Sequence, residues 1–227
     1  MGMTRTHWAS IAAVVLALLF AGTATVVAGE DDGPAGPATP DAASADAGFA
    51  RDMSVHHQQA VEMSFIVRDR TQNEEIRSLA YDIANTQANQ RGMMMGWLDL
   101  WGLPKVAPGE APMAWMAKAG GAHAGHGTKD AASANSSGDA DTAPMPGMAT
   151  QAQLERLGEL SGRAAEIEYL QLMIVHHNGG VDMAQGCVDL CTVDTEKSLA
   201  QGMVNAQRSE VELMVDLLKK RGAQVRT

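Results

Sequence analysis

The chain contains part of itself twice. Met53, His56, His57, Val61 and Met63 recur as Met173, His176, His177, Val181 and Met183, so Met-x-x-His-His-x-x-x-Val-x-Met appears at an offset of 173 − 53 = 120. The offset continues without a gap. Ser78-Leu79-Ala80 matches Ser198-Leu199-Ala200, Asn85 and Gln87 match Asn205 and Gln207, and Met94, Leu98 and Gly102 match Met214, Leu218 and Gly222. A constant register over this length argues for a duplicated unit.

Each unit reads as two helices. The first spans about 46–69 and 74–101, the second about 163–190 and 194–221, with a short helix near 151–157 ahead of the second. Alternating β-branched runs are missing after residue 30, and aromatic residues make up only 4% of the chain, so strands are not expected. Two hairpins, each with one apolar stripe, bury those stripes most simply as an all-α four-helix bundle of the ferritin-like type. At about 100° per residue, Phe49, Met53, His56, His57, Ala60 and Met63 share one helix face. Glu62 and its counterpart Asp182 fall on the opposite, solvent side. The second helix carries a stripe from Ile76 to Trp101 that Gln87 and Gln90 interrupt; Gln207 and Glu210 interrupt its copy. Buried polar groups need partners, and facing imidazoles, or an ion they hold, would supply them.

Outside the repeats the composition changes. Residues 8–28 are almost wholly apolar behind Arg5, the pattern of a signal peptide, and the stretch is also about long enough to stay as a membrane anchor. Either way the rest is exported, to a secreted, periplasmic or cell-envelope location, and the membrane is met only through this segment. No Cys lies near residue 28 to carry a lipid. Residues 29–45 read as a flexible linker and 104–150 as a mobile, Gly- and Pro-rich insert within a bundle spanning 46–222, whose repeats are 46–103 and 160–222. The net charge is −10, or −11 without residues 1–28, which hold one Arg and no acid. Such a surface excludes nucleic acid as a partner.

Imidazole and thioether are ligands for copper, and thioether favours soft Cu(I). The candidate metal ligands are therefore His56, His57, His176 and His177 with Met53, Met63, Met173 and Met183. Gln87, Gln90, Gln207 and Glu210 would orient the imidazoles from behind. The competing reading makes each His pair a core group satisfied by hydrogen bonds, and each Met a core filler. Met113, Met116, His123, His126, Met145 and Met148 form a second cluster in the insert. A loop with no core to fill leaves them either as drift or as an auxiliary metal-capturing set. Cys187 and Cys191 stand four apart near a helix end, with Val67 and Thr71 at the equivalent positions of the first repeat. Free buried thiols, a local disulfide and thiolate ligands all remain open.

Enzyme signatures are mostly missing. No Glu precedes a His by three residues, as a di-iron bundle would need, and there is no zinc-protease His-Glu-x-x-His, phosphate-cradling loop or nucleophile elbow.

The doubled Met-x-x-His-His-x-x-x-Val-x-Met helix, followed by a helix with Leu79-Ala80, Gln87 and Trp97-Leu98, resembles domain-of-unknown-function family 305. The resemblance covers about 46–103 and 160–222. It implies an exported bacterial protein with a ferritin-like fold, and some members are similar to periplasmic copper-binding proteins of copper resistance. It thus implies copper, chiefly Cu(I) with Cu(II) also taken, held for sequestration or delivery, with another copper-handling protein as a partner. A metal-dependent oxidoreductase and a metal-free partner-binding module are the alternatives. One departure is Asn178-Gly179-Gly180 after His177, where two interior glycines cost about 1 kcal/mol each and would admit either close packing or a ligand.

Overall fold

The computed structural model describes residues 39–118 and 142–226. The expected leader at 8–28 and most of the expected linker lie outside these residues, as do His123 and His126. Six helices form and no strand does among the described residues: α1 (Ala45–Arg70), α2 (Glu74–Leu100), α3 (Ala114–Lys118), α4 (Gln151–Glu159), α5 (Gly162–Leu190) and α6 (Asp194–Lys220). None of them is long and apolar enough to cross a membrane.

Local chemistry sets the boundaries. The Ser44 side chain accepts from the Ala47 amide, and Asn73 does the same for Ile76, satisfying amides that a helix start leaves unpaired. Thr150 and Gln153 form a reciprocal capping box on α4. α1 packs on α2, α5 packs on α6, and the two motif helices α1 and α5 meet in the middle, giving the four-helix bundle.

The core has two ends. Met63, Val67, Ile76, Leu79 and Ile83 of the first hairpin join Tyr169, Leu170, Met173, Met214, Leu217 and Leu218 of the second at one end. Phe49, Met53, Met94 and Leu98 join Met183, Cys187, Met203 and Val204 at the other. Met53 meets the Met183 end while Met63 meets the Met173 end, so α1 and α5 run antiparallel and the histidine pairs fall between the two clusters.

Both described ends of the segment 104–150 are packed against the bundle. Trp115 is buried against Phe49 with ring centroids 6.0 Å apart. Asp52 Oδ2 accepts from the Trp115 indole at 3.0 Å and from the Met113 amide at 2.8 Å. Arg51 reaches back to the Pro104 and Ala42 carbonyls, each at 2.8 Å. At the return, Gln59 brackets Ala149, accepting from its amide at 2.6 Å and donating to its carbonyl at 2.9 Å.

Two glycines explain the departure at 178–180. α5 stays helical through both. A Cβ on Gly179 would lie 2.5 Å from the Pro146 carbonyl oxygen and 2.8 Å from Gly147 Cα, and one on Gly180 would lie 2.4 Å from Gln207 Oε1. Glycine there admits the returning chain and the Gln207 side chain. Position 59 in the repeat holds the Gln that clamps Ala149, so equivalent positions, one long and one bare, grip the same strap from two sides.

Candidate metal centre

All four motif histidines are buried, at 0–1% exposure. His56 and His176 stack across the α1–α5 interface with centroids 3.8 Å apart and planes 34° apart. His57 and His177 lie outside this pair, each backed by the second helix of its own hairpin. His57 Nε2 donates to Gln90 Oε1 at 2.8 Å, and His177 Nε2 donates to Glu210 Oε2 at 2.6 Å. His176 Nε2 donates to the His56 carbonyl at 2.9 Å.

These partners fix tautomers. Carbonyl and carboxylate oxygens only accept, so in His57, His176 and His177 a proton sits on Nε2; in the neutral His57 and His176 rings Nδ1 then carries a lone pair. All three Nδ1 atoms are buried and without a hydrogen-bond partner, and the buried His56 ring has only the Pro146 carbonyl beside it. Leaving a buried polar atom unsatisfied costs about 1–3 kcal/mol. The core histidine satisfied by hydrogen bonds thus describes one side of each of these three rings and not the other. An unpaired Nδ1 lone pair, with Nε2–H held by an acceptor, is the arrangement that suits an imidazole for a metal ion.

Burial also keeps His56, His57 and His176 uncharged. His56 is pushed down to about 3, first by loss of water and then by the His57 and His177 charges. His57 falls to about 4, again through burial, with the Gln90 contact opposing. His176 is lowered well below its ordinary value by burial and by the other three rings. Neutral imidazole is the form that binds metal.

Two of the four supporting groups contact an imidazole and two do not. Gln90 and Glu210 hold imidazoles. Gln87 is buried with neither amide atom paired, and the Gln207 carbonyl oxygen is likewise unpaired. Glu62 and Asp182 are exposed, on the far side.

Met53, Met63, Met173 and Met183 are fully buried, two on each side of the histidines. The insert methionines differ from the expectation of a loop with no core. Met145 and Met148 are buried in the cluster that holds Met53 and Met183, and Met113 and Met116 pack against it. Sulfur is thereby concentrated on one side, and the Pro146 carbonyl between Met145 and Met148 lies beside His56. The signal of this docked segment in the sequence is the pair of equivalent positions Gln59 and Gly179, one clamping Ala149 and the other making room for Pro146 and Gly147.

Cys187 and Cys191 form a disulfide at the C-terminal end of α5, where the Cys191 amide donates to the Cys187 carbonyl. Of the three readings open from the sequence, the local bridge is the one that forms.

The profile of the family described as "Domain of unknown function (DUF305)" matches residues 46–218. The chain belongs to the DUF305 family. It is similar to a DUF305 protein of Streptomyces coelicolor, described as secreted, at 58% identity and a TM-score of 0.70, covering 82% of this chain and 99% of that one. A DUF305 fragment from Deinococcus radiodurans follows at 29% identity and 0.59, with the same coverage. CopM in its Cu(I)-bound form shares the fold at 18% identity and 0.53, covering 77% of this chain and 96% of that one. No curated protein matches the chain.

Proposed function

We propose that this DUF305 protein is an exported copper-binding protein that holds Cu(I), and secondarily Cu(II), for sequestration or delivery. One observation carries the reading: three buried imidazoles have Nδ1 atoms without a hydrogen-bond partner, one of them packed face to face with a fourth ring, between two methionine-bearing clusters. Nitrogen donors with thioethers at hand select copper over hard cations. His56, His57, His176 and His177 supply the nitrogens. Met53 and Met183, with Met145 and Met148 beside them, supply sulfur on one side, and Met63 and Met173 on the other. Gln90 and Glu210 hold the rings in the binding tautomer. Met113, Met116, His123 and His126 are the auxiliary set through which an ion would be passed inward.

The relatives support this reading. CopM, of the same fold, has Cu(I)-, Cu(II)- and Ag-bound forms, and the Streptomyces coelicolor relative is described as secreted. The test is a competition titration with a chromophoric Cu(I) chelator on the wild type and on His56→Ala/His57→Ala/His176→Ala/His177→Ala. The wild type should strip Cu(I) from the chelator, and the variant, still helical by circular dichroism, should lose most of that ability. Equal competition by both would remove the histidines from the site.

A further inference from the structure

The duplication supplies an internal control at the two ends of the bundle. At one end a buried acid of the motif helix is Glu166. It accepts from Thr71 Oγ1 at 2.5 Å and pairs with the Arg221 guanidinium at 2.6 Å. Its neighbours across the turn are Val67, Thr71 and Ile76.

Moving each residue by 120 gives the other end: Asp46 for Glu166, Cys187 for Val67, Cys191 for Thr71 and Glu196 for Ile76. The arginine has no copy, because position 101 is Trp. Asp46 is buried and accepts from the Thr192 and Val193 amides, each at 2.8 Å. Glu196 is fully buried; its protonated carboxyl hydrogen-bonds the Asp46 carboxylate, and no N–H or hydroxyl of another residue reaches its oxygens. Among the described residues no basic side chain pairs with either acid. The two Sγ atoms and a Glu196 oxygen lie within 4.8 Å of one another.

A hydrophobic core position has thus been given to a carboxyl whose only polar partner is a second acid, beside two sulfurs. Buried charges are ordinarily paired or coordinate metals. Burial and the neighbouring Asp46 push Glu196 up to about 9, so with the disulfide closed a proton occupies the carboxyl. Opening the disulfide turns two unreactive sulfurs into two thiols that can ionise.

We propose that reduction of Cys187–Cys191 creates a second metal site, in which both thiolates and the Glu196 carboxylate hold a divalent ion of the zinc class. The carboxylate oxygen favours such an ion over Cu(I), and zinc takes Cys sulfur at about 2.3 Å and carboxylate oxygen at about 2.0–2.2 Å. The reductant is a dithiol. Its thiolate attacks one sulfur, breaking the Cys187–Cys191 bond. Its second thiol then releases the mixed disulfide, so the reductant leaves oxidised and the protein gains two electrons and two protons as two thiols. The divalent ion displaces both thiol protons and the Glu196 proton. Asp46 stays on the backbone amides and contributes charge. This site is separate from the histidine centre and does not depend on its occupant.

The test is titration of the full chain with Co(II), a spectroscopic substitute for zinc, before and after reduction with a phosphine. Reduced protein should develop a thiolate-to-Co(II) charge-transfer band, which imidazole cannot produce. The band should saturate at one Co(II) per chain and vanish on adding Zn(II). The disulfide form and Cys187→Ser/Cys191→Ser should show none, and Glu196→Gln should bind Co(II) at least about tenfold more weakly. The histidine quadruple variant should keep the band, so failure of the copper site and failure of this one read out separately. A reduced chain that stays helical by circular dichroism but gives no band would overturn the proposal. So would an undiminished affinity in Glu196→Gln, or loss of the helical signal on reduction.

Discussion

At the residue scale the candidate copper centre differs between its halves by one functional group. His57 leans on the neutral amide of Gln90, and His177 on the carboxylate of Glu210. A carboxylate behind an imidazole raises its basicity and fixes its orientation. Glu210→Gln should therefore weaken Cu(I) affinity about 10- to 100-fold, measured by chelator competition, and Gln90→Glu should move it the other way. If both variants matched the wild type, these side chains would not be tuning the ligands. The imidazoles themselves were legible in the repeat, because adjacent His pairs flanked by Met on one helix face point inward together. Their tautomers were not, since these depend on Gln90 and Glu210, 33 residues further along the chain. Glu196 was also illegible: an acid in a first helical turn, here beside Asp194, ordinarily reads as a favourable dipole partner on the surface.

At the element scale, the hairpins followed from periodicity. Ile76, Leu79, Ile83, Met94 and Leu98 recur at helical spacing and are all buried. The strap formed by the insert's return did not follow, because Gly and Pro in that segment carry no periodic signal, and its docking is decided by residues far away. Gly179 makes this testable. Glycine-to-alanine in a helix interior ordinarily gains up to about 1 kcal/mol. Gly202, in α6, has nothing within 4 Å of an added Cβ, so Gly202→Ala should raise stability by that order. Gly179→Ala places the Cβ 2.5 Å from the Pro146 carbonyl oxygen and should lower stability by about 1–3 kcal/mol. Urea unfolding compares the two. A stabilised Gly179→Ala would mean the strap does not sit on α5.

For the whole molecule, burying uncharged imidazoles makes the fold acid-sensitive. In the folded metal-free chain His56 and His57 take protons only near about 3 and about 4, against an ordinary value of 6.5. His176 is lowered in the same direction. Unfolding therefore takes up protons below about pH 6.5, and stability falls as pH drops from there toward about 4. The loss is at most about 1.4 kcal/mol per pH unit for each such ring. Glu196, raised to about 9 from 4.5, acts oppositely: its contribution is whole below 4.5 and fades as pH rises through 9. Three rings outweigh one carboxyl between 6.5 and 4.5, so the urea midpoint should decline over that range, and His57→Gln should flatten the decline. A midpoint constant over that range would mean the rings are not held neutral.

The same neutrality suits the interior for an ion, and a crystal of the Cu(I)-loaded chain examined at the copper absorption edge tests this directly. The anomalous map should place copper within bonding distance, about 2 Å, of Nδ1 on at least one of His57, His176 and His177, with a methionine sulfur in the same coordination sphere. Copper found only on surface groups, with every one of those Nδ1 atoms unbound, would contradict it.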